Sequence, residues 1–161
     1  MIPIKRHLRI VVNRISKYSI RMSETFAQKS EVITKIFTSL SPDKKYEALI
    51  ELGRKLPPLP ESLKTENHLV AGCQSRLYIV AELKEGKIYF QAAADALISA
   101  GLAALFISVY SGETPETVLK ASPSYIKDLG LENSLSPSRS NGLYQIHLRL
   151  KQEVLKNLVL V

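Results

Sequence analysis

Apolar residues recur at helical spacing in TFAQKSEVITKIFTSL, at Phe26, Val32 or Ile33, Ile36, Phe37 and Leu40, and predict a first helix that ends at Ser41. SPDKKYEALIELGRKL predicts a second helix directly after it, with Ser41 as N-cap, Pro42 in the first turn and Tyr46, Leu49, Ile50 and Gly53 on one face. PPLPESLKTEN then runs extended, because Pro57, Pro58 and Pro60 cannot continue a helix; it is a stiff surface crossing, with a proline-rich ligand for a partner module as the alternative. The period changes to that of strands in SRLYIVAEL and KIYFQAAA. These β-branched and aromatic runs are joined by Lys84, Glu85 and Gly86, the chemistry of a hairpin.

ALISAGLAALFISVY is apolar nearly all round and predicts a buried central helix, capped by Asp95 and carrying Ala100, Gly101, Ala103 and Ala104 where backbones can approach closely. ETPETVLKA and SPSYIKDLG predict short helices, each opened by a hydroxyl residue and a proline, the second closed by Gly130. A last helix runs through NGLYQIHLRLKQEVLKNL, with Leu143, Ile146, Leu150, Val154 and Leu158 as its stripe. The pattern gives an α+β fold: one domain in which a small antiparallel sheet of about three strands packs against helices. A chain of 161 residues suits one such core and is short for two.

Charge changes this picture at one end only. The net charge is +7, but Lys5, Arg6, Arg9, Arg14, Lys17 and Arg21 place +6 of it in residues 1–21, which hold no acid. From Met22 onward 16 basic residues face 15 acidic ones, so the domain of residues 22–161 has no electrostatic case for nucleic acid. Residues 1–21 read as a basic extension, either from a start placed too early, with Met22 the natural first residue and Ser23–Glu24 leading into a helix, or as an organellar transit peptide. Such an extension is expected to be dispensable for folding. The longest apolar run, about 15 residues, falls short of the roughly 20 that span a bilayer, so a soluble protein is expected, cytoplasmic unless the extension is a genuine transit peptide.

The chain has one cysteine, Cys73, set at a break between two apolar runs in HLVAGCQSRLYIV rather than inside one. One thiol excludes an intrachain disulfide and any site needing several thiolates from one chain, and it fits a reducing compartment. A lone cysteine is ordinarily a small buried hydrophobe; Gly72 before it and Gln74–Ser75 after it argue against that here. His68, five residues upstream, invites a cysteine-dependent hydrolase in which imidazole activates the thiol. A hydrolase needs further groups for which no local signature is present, and His68 reads better as a turn or surface residue. His147 reads as a core histidine, and His7 lies in the extension. Metal ligation by Cys73, His68 and Asp95 lacks ligand spacing, so no metal is expected.

Taken in order, LGRKLPPLP, HLVAGCQSRLYIV, the hairpin, the D-A-x-I-x-x-G of DALISAG, TPETVL and LSPSRSNGL resemble the SufE family over about residues 26–158. These are sulfur acceptors that partner a pyridoxal-phosphate cysteine desulfurase in iron–sulfur cluster assembly. The resemblance implies that Cys73 takes sulfur as a persulfide, stimulates the desulfurase and delivers to the assembly scaffold, as an accessory rather than an independent enzyme and with no cofactor of its own. It also places Asp95 and Arg139 near the cysteine loop. Each has a structural alternative, Asp95 as a helix cap and Arg139 as an ordinary residue at the opening of the last helix. Gly72 is the natural hinge of the loop, and Gln74 is placed to hydrogen-bond its backbone. A related acceptor feeding tRNA thiolation or cofactor sulfuration is the alternative within the family, and either a monomer or a homodimer fits.

Overall fold

In the computed structural model, which describes residues 6, 8–10, 12, 13, 15, 25–122 and 124–160, helix α1 (Phe26–Thr38) starts at a reciprocal cap. The Gln28 N–H donates to Thr25 Oγ1 at 3.2 Å, and the Thr25 N–H donates to Gln28 Oε1 at 2.8 Å. The helix therefore begins at Thr25; Ser23 and Glu24 lie outside the described residues. Its inward face carries Ile33 and Phe37, with Val32 only half-buried. Helix α2 (Pro42–Arg54) follows after one short break, with Pro42 in its first turn as predicted. Ser41 has N-cap backbone geometry but its side chain makes no capping bond.

Strands β1 (Leu77–Lys84) and β2 (Lys87–Ala94) pair antiparallel, Leu77 opposite Ala94 and Lys84 opposite Lys87. Glu85 and Gly86 turn the hairpin, both at positive φ (52° and 75°), the signature of a two-residue turn whose twist matches the strands. Among the described residues the sheet has two strands, not about three. The flanking chain supplies only single bridges, Leu69 to Tyr78 and Glu113 to Ile88. On the β1 side there is no length for a ladder, because a 3₁₀ turn (Glu66–His68) precedes Leu69 and a glycine turn follows Val70.

β1 is buried on both faces near its start. Leu77 and Ile79 join Ile88, Phe90 and Ala92 in the main core, while Tyr78 and Val80 meet Leu59 in a smaller cluster. Leu59 thus pins the proline crossing to the hairpin.

Helix α3 (Leu97–Tyr110) is the centre of the molecule, buried on almost every side. It crosses α2 backbone to backbone. A Cβ on Gly101 would overlap the Leu49 carbonyl, and one on Gly53 would overlap the Leu97 carbonyl, so both glycines are required by the approach itself. Asp95 does not cap this helix: the N-cap position is Ala96, which can offer no side-chain acceptor, and Asp95 bonds instead across the hairpin end.

Helix α4 (Pro115–Lys120) is capped by Thr114, whose hydroxyl accepts from the Thr117 N–H at 3.3 Å. Helix α5 (Ser124–Asp128) ends at Gly130, φ 63°, with the buried Lys45 ammonium donating to the Gly130 carbonyl at 2.9 Å. The predicted proline opening of α5 falls on Pro123, outside the described residues.

Helix α6 (Pro137–Val159) starts four residues earlier than the apolar stripe suggested. Leu143, Ile146, Leu150 and Val154 are buried, whereas Leu158 is exposed because the stripe drifts off the core by the last turn. His147 is buried and its Nδ1 lies 2.8 Å from Tyr110 Oη.

Residues 6, 8–10, 12, 13 and 15 are helical, and Leu8, Val12 and Ile15 belong to the main core. Their i, i+4, i+7 spacing presents one apolar face, with Arg6, Arg9, Ile10 and Asn13 exposed. The segment therefore has a packing role that its charge did not announce. Among the described residues no helix is long and apolar enough to cross a membrane.

Candidate functional site

Cys73 stands on a loop of residues 71–76 whose neck is closed twice. The Val70 N–H donates to the Leu77 carbonyl at 2.8 Å. One step further along, Asp95 and Arg76 are joined by two bonds: the Asp95 N–H donates to the Arg76 carbonyl at 3.2 Å, and the Arg76 N–H donates to Asp95 Oδ1 at 3.0 Å. Asp95 therefore serves the loop directly, as the carboxylate that fixes its C-terminal stem. Gly72 makes the turn at φ 78°, a conformation that side-chain-bearing residues resist, and a Cβ there would also press on the Gln145 side chain, with contacts of 3.2 and 3.3 Å.

The thiol is half-buried and points at α6: a Cβ on Gly142 would sit 3.9 Å from Cys73 Sγ, so the absent side chain leaves room beside the sulfur. Cys73, Gln74, Leu77, Ser99, Leu102, Ser138, Arg139, Gly142 and Ile146 enclose a small cleft there. Its volume is about 20 Å³, room for about one small atom beside Sγ, and its mouth is partly open.

Burial raises the Cys73 pKa above its ordinary value, so the resting group is a protonated thiol. The first turn of α6 enters through Ser138 and Arg139, and the Arg139 guanidinium makes no hydrogen bond or ion pair among the described residues. The arrangement disfavours a thiolate by desolvation.

Of the residues singled out from sequence, Cys73, Gln74 and Arg139 share the cleft, Gly72 makes the loop's turn and Asp95 ties its stem. His68 is not among the cleft residues. Its Nδ1 is 2.8 Å from the Leu63 carbonyl and 3.1 Å from Thr65 Oγ1, which makes it a turn residue. Among the described residues that line the cleft there is no His, Asp or Glu to serve as the base a thiol hydrolase requires. Among the described residues no three His, Cys, Asp or Glu side chains converge as metal ligands.

Sequence reasoning gave no role to Ser99, Gln145 or Arg149. The Ser75 hydroxyl donates to Ser99 Oγ on α3, and Arg149 reaches the backbone of the arm leading into the loop. The only advance signal was helical spacing: Gln145 and Arg149 follow Arg139 and Gly142 at steps of three and four.

The family model for SufE, a domain associated with Fe–S metabolism, matches residues 30–154. An uncharacterized SufE-like protein of Synechocystis is 38% identical over 117 residues, which cover 73% of this chain and 74% of that protein. The SufE-like protein 1, chloroplastic/mitochondrial, of Arabidopsis thaliana is 37% identical over 132 residues, 81% of this chain but 35% of that longer protein. The solution structure of a hypothetical protein from Thermus thermophilus superposes with a TM-score of 0.68 at 30% identity, covering 81% of this chain and 96% of that one.

Proposed function

Because the chain belongs to the SufE family and so to iron–sulfur metabolism, we propose that it is a sulfur carrier that accepts persulfide sulfur from a cysteine desulfurase on Cys73. The observation that supports this most is the placement of the chain's single thiol on a hinged loop, beside a cleft with room for about one more atom. The Cys73 thiolate attacks the outer sulfur of the partner's persulfide. A new S–S bond forms to Cys73, the partner's S–S bond breaks, and the electron pair leaves with the partner's thiolate, which takes up a proton. No net oxidation occurs, and delivery repeats the exchange with the next acceptor.

This chemistry asks for no cofactor or metal on this chain; pyridoxal phosphate belongs to the desulfurase. It does ask for a change of state. The resting thiol is desolvated and protonated, so transfer requires the desulfurase to bind the loop in an extended form more tightly than in the closed one. Ala71–Gly72 supplies the hinge. Closed again, the cleft shields the carried sulfur from soluble reductants while Arg139 and the start of α6 favour its anion. Through this exchange the protein stimulates the desulfurase and supplies the iron–sulfur assembly scaffold; tRNA thiolation or cofactor sulfuration would use the same steps with another recipient.

With active desulfurase, pyridoxal phosphate and cysteine, intact-mass measurement should show Cys73 gaining sulfur that dithiothreitol removes, and Cys73→Ser gaining none. A Cys73→Ser protein that stimulates the desulfurase and supports cluster assembly as well as the parent would overturn the carrier reading and leave a pure adaptor.

A further inference from the structure

Between Asn67 and Cys73 the chain runs antiparallel to α6 and is met at four positions by helix residues progressively nearer the helix N-terminus. Lys156 Nζ donates to the Asn67 carbonyl at 3.2 Å, Arg149 Nη1 donates to the Leu69 carbonyl at 3.0 Å, Gln145 lies under Gly72, and Gly142 faces the sulfur. Arg149 is the centre of this track. Its Nη2 also donates to the Asn67 carbonyl and pairs with the Glu153 carboxylate at 2.7 Å. Both side chains are shielded, 12% and 5% exposed, and Glu153 takes a second cation, Lys156, at 3.0 Å. Arg149 Nε is buried with no partner among the described residues, so the side chain forgoes one hydrogen bond to keep two carbonyls and a carboxylate in its fork.

Such a buried charged network is a poor way to gain stability, since apolar residues of similar volume commonly do as well or better. What it supplies is geometry. The fork grips the arm at Asn67 and Leu69, four residues or more before the sulfur, and leaves residues 71–76 ungripped by α6 except through packing.

We infer that Arg149 is a positioning residue for Cys73: by clamping the arm to α6 it seats the sulfur over Gly142 and confines loop opening to the segment beyond Val70. The inference takes its purpose from the sulfur-carrier reading, but its test uses no desulfurase, so either can fail without the other. Without the clamp the arm can lift with the loop, and the open population rises.

The test is the rate of Cys73 alkylation by iodoacetamide in the folded protein, followed against pH. Arg149→Met combined with Glu153→Gln removes the clamp without stranding a buried carboxylate, and should alkylate roughly fivefold faster or more, with the alkylation pKa moved down toward that of an exposed thiol. Arg149→Lys keeps the pairing with Glu153 but cannot span two carbonyls, and should fall between it and the parent. Ile33→Val, a core change remote from the loop, controls for general loss of stability. Alkylation at the parental rate in the Arg149 variants overturns the inference. So does an acceleration no larger than Ile33→Val shows at a matched loss of unfolding free energy.

Discussion

His147 is neutral in the fold at ordinary pH, because burial, and secondarily the Lys151 charge, pull its pKa down to about 4. Its Nδ1 lies 2.8 Å from the Tyr110 hydroxyl, whose own pKa burial pushes up to about 12, so both partners of this contact are neutral. In the unfolded chain the imidazole titrates near its ordinary 6.5. The folded value is lower, so the unfolded state binds the extra proton first: the contribution is fully present above about 6.5 and is lost as pH falls through about 4. Urea unfolding between pH 7 and 4 should therefore show falling stability, by on the order of 1–2 kcal/mol from this residue after allowing for partial hydration. His147→Gln should flatten that slope; an unchanged slope would show that His147 is not the group responsible. Sequence reading placed this histidine in the core, where the structure buries it, from its position beside the apolar stripe of the last helix. It misread Asp95, whose position before a helix is the same whether it caps that helix or crosses to Arg76, a choice made by the hairpin register rather than by neighbours in sequence.

At the level of elements, the hairpin carries its own test. Glu85 is the only non-glycine residue at positive φ among the described residues, and a side chain in that region costs roughly 1–2 kcal/mol that asparagine or glycine partly avoids. Glu85→Asn should raise unfolding free energy by about 0.5–1 kcal/mol and leave Cys73 alkylation unchanged, because the turn lies at the far end of the strands from the cysteine loop. Helix and strand positions were legible from periodicity, and the α2–α3 contact was foreshadowed by Gly53 and Gly101. Among the described residues there was no third strand to find. Leu69 and Val70 have strand composition, but a strand needs a partner over several residues and the turns on either side allow one bridge. The early start of α6 was hidden for another reason: its first turn commits Ser138 and Arg139 to the cleft, and the helix shows no apolar period until Leu143.

For the molecule as a whole, residues 1–21 are where charge and burial disagree. Counting charges marks the segment as an appendage, yet Val12 and Ile15 are fully buried in the core and Leu8 nearly so. The two facts are compatible because, among the described residues, Leu8, Val12 and Ile15 share one face while Arg6 and Arg9 are exposed. In the full chain, Ile15→Ala should cost about 2–4 kcal/mol, seen as a lower unfolding midpoint, with Arg9→Ala on the exposed face close to neutral. An Ile15→Ala protein as stable as the parent would return the segment to the status of an appendage.

The cleft beside Cys73 also sets a unit of account. The small space beside Sγ accommodates one added sulfur more readily than a chain of two or three. On the carrier reading, the loaded protein is a parcel of fixed size. Growth of a longer sulfur chain on Cys73 would then have to push the loop off α6, so shape as well as chemistry would oppose it.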